Sequence, residues 1–173
     1  LLNDPGAFTV RLLLLAIALL MAITVHEFSH AFVAYRLGDS TAKRLGRLTL
    51  NPRAHLDPTG TVMVLLAGFG WGKPVPVNTA YLHAGRQGMA LVALAGPMAN
   101  VLLAGLLALP FRLGTTELPN SNVMPSLASP DLTIWLPWVL FYALFINVIL
   151  AVFNMLPISP LDGSQVLGGV APR

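Results

Sequence analysis

The sequence predicts an all-α polytopic membrane protein. Its expected plan is a three-helix transmembrane core with a re-entrant or half-membrane segment and a short membrane-surface β-hairpin after the first helix. Three observations carry this. First, of 173 residues 55% are hydrophobic and only 10% are charged, where a soluble domain carries about 25% charged residues, and the mean hydropathy is +0.73. Second, the apolar runs 8–35, 87–109 and 132–155 are each long enough, at about 1.5 Å per helical residue, to cross a hydrocarbon core of about 30 Å. Third, seven of the ten Lys and Arg residues lie between the first two runs: Arg36, Lys43, Arg44, Arg47, Arg53, Lys73 and Arg86. By the positive-inside rule that stretch faces the cytoplasm and the N-terminus lies outside.

Taken in order, run 8–35 spans about 42 Å as a helix and crosses with some tilt. It is too long for a signal-peptide core and no small-residue cleavage site follows it. Gly38 is placed to end it as a C′ residue. Residues 41–50 alternate loosely, with Leu45, Leu48 and Leu50 against Arg44, Arg47 and Thr49, which predicts the short strand or hairpin. Asn51-Pro52 and Asp57-Pro58 are turn signals. The apolar run 59–70 is too short to cross the bilayer and reads as the half-membrane element. Gly68, Gly70, Gly72, Pro74 and Pro76 exclude a continuing helix and predict an extended loop down to Asn78.

The second span, 87–109, runs from inside to outside and carries Gly96-Pro97-Met98-Ala99-Asn100. Pro97 frees a backbone carbonyl, and Asn100 is a costly polar group at that depth. Ala95, Gly96, Ala99 and Ala104 make a small-residue face, so Asn100 reads either as interhelical glue or as part of a site. Residues 111–131 form a Pro-, Ser- and Asn-rich outer loop. The third span, 132–155, is interrupted by Asn147 and Asn154 and leads through two prolines, Pro157 and Pro160, to Asp162-Gly163 and a short apolar tail. The whole chain, 1–173, reads as one membrane-embedded domain.

The chemistry is concentrated in His26-Glu27-Phe28-Ser29-His30. On a helix His26 and His30 stand one turn apart on one face, so both imidazoles can reach one metal ion, with Glu27 beside them as a general base. Three ionisable side chains within five residues cost several kcal/mol in lipid unless neutralised, paired or metal-bound, roughly 2.5 kcal/mol or more each at mid-bilayer. The other reading is two core histidines bonded to backbone. Absence of cysteine excludes a disulfide framework and a Cys-ligated zinc. No basic face with interleaved aromatics accompanies the formal charge of +3, so nucleic acid is not an expected partner.

A catalytic zinc needs a third protein ligand. Asp4, Glu117 and Asp131 fall outside by the topology above, and Asp39 follows the first span directly. Asp162 follows a double-proline break that turns the chain back towards the bundle. It is the best candidate, with Asp57 and His55 behind it.

These motifs resemble the site-2 protease family of intramembrane zinc metalloproteases. The resemblance rests on His26-Glu27-Phe28-Ser29-His30 and on Asn154-Met155-Leu156-Pro157-Ile158-Ser159-Pro160-Leu161-Asp162-Gly163. Gly72-Lys73-Pro74-Val75-Pro76-Val77-Asn78 and Gly96-Pro97-Met98-Ala99-Asn100 are similar to stretches of its short bacterial and archaeal members. It implies one Zn2+ per chain held by His26, His30 and Asp162, with Glu27 as general base. It also implies that Asn154 steadies the substrate or the developing oxyanion, against the alternative of a helix-packing amide. Asn100 and Pro97 remain substrate-binding or structural candidates. The expected activity is peptide-bond hydrolysis within transmembrane segments of protein substrates, the reaction of regulated intramembrane proteolysis, in the cell membrane and towards its cytoplasmic side. An exposed strand edge in 41–50 would hold an unwound substrate. The rival readings are a membrane metal-ion carrier and a non-proteolytic binder of membrane segments.

Overall fold

The structure is a computed structural model that describes residues 5–67, 71–120, 124–128 and 131–171. It is mostly helical. Three helices, α1 (Pro5–Arg36), α4 (Gly85–Arg112) and α5 (Leu132–Asn154), are long and apolar enough to cross a membrane. Between them lie α2 (Thr41–Arg44) and α3 (Pro58–Ala67), and α6 (Asp162–Val170) follows α5.

Local chemistry sets the boundaries. Pro5 opens α1, where its missing N–H costs nothing. Gly38, at φ 109°, closes it in a conformation that disfavours a side chain. The Asp131 carboxylate caps α5 by accepting the Thr133 N–H at 2.9 Å. At the far end of α6 the Arg86 guanidinium reaches over from α4 and donates to the carbonyls of Gly168 and of Ala171, the latter at 2.9 Å.

The bundle is organised by one row of α1. Val10, Leu14, Ala18, Ala22, His26, His30 and Ala34 recur every fourth residue and all are buried, the spacing of one helix face. Val10 and Leu14 pack on Trp138, and Ala18 and Ala22 on Ile146, so α5 runs parallel to α1. Ala34 packs with Val92 while the Ala22 carbonyl meets Asn100, so α4 runs antiparallel. α6 packs on α4, with Gly169 so close to Ala90 that a Cβ there would collide. Away from these contacts the helices stay apolar and open: Leu102 is 65%, Leu106 63% and Val152 64% exposed, as surfaces meeting lipid are.

The β-hairpin expected over 41–50 is not present; the described residues contain no strand. Residues 41–44 are helical, and Gly46 turns the chain at φ 68°. A half-buried strand would have hidden its leucines, yet Leu45 and Leu50 are about 60% exposed while Arg47 and Ala42 are buried. The alternation is therefore inverted. The cause is Asp39, whose carboxylate accepts the Thr41 N–H at 2.9 Å and nucleates the turn. An isolated antiparallel bridge joins Leu56 and Gly72. α3, ten residues long, reaches about 15 Å and is too short to cross a bilayer. Gly68 and Gly70, expected to end that segment, lie outside the described residues. From Trp71 to Asn78 the chain carries no helix, and the Lys73 N–H donates to the His55 carbonyl at 2.8 Å.

Candidate metal centre

The row of α1 that buries the alanines also points His26 and His30 into the bundle, where they are only 5% and 7% exposed. Their rings stand edge to face at 86°, with centroids 4.6 Å apart. Asp162 enters from the first turn of α6. Its Oδ2 lies 3.0 Å from His26 Nε2 and 3.4 Å from His30 Nε2. The three ligand atoms lie within 4.8 Å of one another. Bonds of about 2.0–2.1 Å in a tetrahedral zinc site put neighbouring ligand atoms about 3.3 Å apart. The trio fits such an ion.

The donor set points the same way. His30 Nδ1 is 2.7 Å from the Val92 carbonyl oxygen, and His26 Nδ1 is 2.6 Å from Asn100 Oδ1. Both partners are acceptors, so each Nδ1 carries the hydrogen. In the neutral ring each Nε2 is then a lone pair. Two lone pairs therefore face a carboxylate oxygen, and a cation among them relieves the repulsion. Burial alone would raise the Asp162 carboxyl, but hydrogen bonds from His26 and His30, donated when Nε2 carries a proton in place of a metal, outweigh it and bring it down to about 2. Asp162 is thus a carboxylate at neutral pH, the form a metal takes.

Glu27 lies beside the trio, half-buried, on the side of the 71–78 segment. Its Oε2 accepts the Val75 N–H at 3.1 Å. A Cβ on Gly72 would sit 3.8 Å from its Oε1, so the segment passes close over the carboxylate. The segment is held by Arg47, whose buried guanidinium donates to the Lys73 carbonyl and is attracted by Glu27.

The other acids and histidines of the sequence go elsewhere. His55 is fully buried, with Nε2 bonded to the Thr49 carbonyl at 2.7 Å. Asp57 accepts the Gly60 N–H in the first turn of α3 at 2.8 Å. Among the described residues neither belongs to the cluster of His26, His30 and Asp162. Asn154, at the end of α5, donates from Nδ2 to the Leu150 carbonyl at 2.9 Å and makes no hydrogen bond to the trio among the described residues. Pro97 is buried in α4 beside Gly96, and its ring nitrogen cannot donate to the Ala93 carbonyl.

Sequence reasoning placed Gly96 only on a packing face. In the structure a Cβ there would lie 2.5 Å from His30 Nε2 and 2.7 Å from His26 Cε1, so glycine is what admits the two rings. The signal was present as the Gly96-to-Asn100 spacing, which puts both residues on the face of α4 that meets α1.

Over 162 residues, 91% of its length, the chain is 41% identical to the Bacillus subtilis protein named "Putative zinc metalloprotease YwhC", of which it covers 69%. The chain belongs to the site-2 protease family. It is also 34% identical to proteins named "Putative zinc metalloprotease Rip2" from two mycobacteria. The match takes in 86% of this chain and 53% of the Mycolicibacterium smegmatis protein, and 95% of this chain and 60% of the Mycobacterium tuberculosis one. The chain thus spans between about half and two thirds of its site-2 protease relatives. No family model matches it, and no solved structure gives a significant match.

Proposed function

We propose that this chain is an intramembrane zinc metalloprotease that hydrolyses peptide bonds within membrane-spanning segments of substrate proteins, as regulated intramembrane proteolysis requires. The observation that carries the reading is the convergence of His26 and His30, on a helix apolar enough to span, with the Asp162 carboxylate from the first turn of α6, and the Glu27 carboxylate beside them. The relatives named as zinc metalloproteases support it.

His26, His30 and Asp162 would hold one Zn2+. A zinc ion bound there would acidify a water and polarise the substrate carbonyl. Glu27 takes the proton from the attacking water and returns it to the leaving amine. The Val75 N–H on Oε2 orients the carboxylate, and Oε1 is the oxygen left to take that proton. Asn154 keeps its amide oxygen and second N–H for a substrate or developing oxyanion, while Pro97 and Asn100 shape the wall behind the ligands. Because residues 41–50 form no strand, the 71–78 segment over Glu27 is the better-placed extended backbone to lie beside an unwound substrate. The protein resides in the cell membrane with its N-terminus outside. His30 and His26 then lie about 9–15 Å from the Arg36 end of α1, towards the cytoplasm.

The test is cleavage of a purified single-span reporter protein in proteoliposomes, by wild type and Glu27→Gln. Cleavage by wild type alone, with equal zinc in both, supports the protease. Zinc flux through both proteins without cleavage would replace it with a carrier.

A further inference from the structure

The tautomer of His26 is dictated from a different helix. Asn100 and Asn147 are both fully buried. Asn147 Nδ2 donates to the Ala143 carbonyl at 2.8 Å, which fixes its amide so that Oδ1 faces Asn100. Asn100 Nδ2 spends its two hydrogens on the Ala22 carbonyl at 3.1 Å and on Asn147 Oδ1 at 2.6 Å. That leaves Asn100 Oδ1 towards His26 Nδ1 at 2.6 Å. Backbone carbonyls only accept, so both ends of the chain of bonds have one possible direction. His26 Nδ1 must carry the hydrogen, so in the neutral ring Nε2 is left with its lone pair on the Asp162 side, 3.0 Å from Oδ2. His30 obtains the same result from a backbone carbonyl, that of Val92, which no substitution at a side chain removes. His26 alone relies on side chains.

We propose that Asn147 and Asn100 are positioning residues for the metal: a relay from α5 through α4 that fixes the tautomer and ring orientation of His26. The inference rests on the metalloprotease reading of the site. Amides joining spanning helices are commonly glue, and here the same bonds also set which nitrogen can ligate. Without Asn147, the Asn100 amide loses the nearer of its two acceptors and is held by the Ala22 carbonyl alone. Once turned over it presents Nδ2 to His26 Nδ1, and the ring must then carry its hydrogen on the ligand nitrogen. Partners of metal-bound histidines of this kind are worth about 10–100-fold in metal affinity.

The test is zinc affinity by chelator competition, with the visible spectrum of the Co2+-loaded protein as a readout of ligand geometry. The proteins are wild type, Asn147→Leu and Asn147→Asp in detergent. Neutral Asp keeps an acceptor for Asn100 and a donor for the Ala143 carbonyl, so Asn147→Asp is expected to bind zinc within about threefold of wild type. Asn147→Leu is expected to bind at least tenfold more weakly, with shifted cobalt bands. Asn147→Val, which is smaller, takes its place if the leucine does not fold. Wild-type affinity and spectrum in either apolar variant would overturn the relay and leave glue. Absence of zinc binding by wild type would instead overturn the metal reading on which it stands.

Discussion

Gly96→Ala tests the site through a single methyl group. The new Cβ would lie 2.5 Å from His30 Nε2, 2.6 Å from His30 Cε1 and 2.7 Å from His26 Cε1, while ordinary contact begins near 3.4 Å. Rings or helix must therefore give by roughly 0.9 Å. Metal–ligand distances tolerate about 0.2 Å, so the shift exceeds the tolerance several times over. The fold is far less sensitive. Overpacking costs about 1–3 kcal/mol, and Ala recovers about 1 kcal/mol over Gly within a helix. The expected result is a helical, detergent-stable protein that binds zinc at least tenfold more weakly, as in other disturbed ligand shells. The assay is chelator competition alongside thermal unfolding of the metal-free protein. Wild-type zinc affinity in Gly96→Ala would refute the geometry assigned to both histidines. Loss of the fold would show that the cost was global.

Two further perturbations separate chemistry from scaffold. Glu27→Gln is expected to keep zinc and to lose about 10²–10⁴-fold in peptide hydrolysis, the usual weight of a general base, read from reporter cleavage beside metal content. Asp39→Asn addresses the turn after α1. Burial alone would raise the Asp39 carboxyl, but hydrogen bonds from Thr41 and from the Asn78 N–H outweigh it and hold it below its ordinary value of 3.8. A lowered folded value stabilises the protein fully above 3.8, and that contribution is lost as pH falls through the folded value. Asp39→Asn should therefore lower the unfolding temperature at pH 7, with the deficit shrinking below about pH 4; a deficit independent of pH would refute it.

What the sequence disclosed follows from what is local. His26 and His30 one turn apart, the apolar lengths of the three long helices, and Gly38 as the end of α1 depend on spacing along the chain alone. The double-proline break before Asp162 narrowed the third ligand to a short choice, but only the docking of α6 on α4, through Gly169 and Arg86, brings the carboxylate to the histidines. Residues 41–50 misled because their loose alternation was read without the Asp39 carboxylate, which accepts the Thr41 N–H where the Thr41–Arg44 turn begins. Asn100 was ambiguous for a different reason. An amide in a spanning helix carries no mark of its partner, and its bond to His26 exists only in the antiparallel register of α1 and α4. The Val75 N–H on Glu27 was likewise hidden, since a backbone donor has no sequence signature.

The most direct test of the account is the metal content of the detergent-purified protein, wild type beside Asp162→Ala. One zinc per wild-type chain, lost or sharply weakened in the variant, is the predicted result. Zinc retained at full affinity without Asp162, or absent from wild type, would contradict the three-ligand centre on which the proposed protease rests.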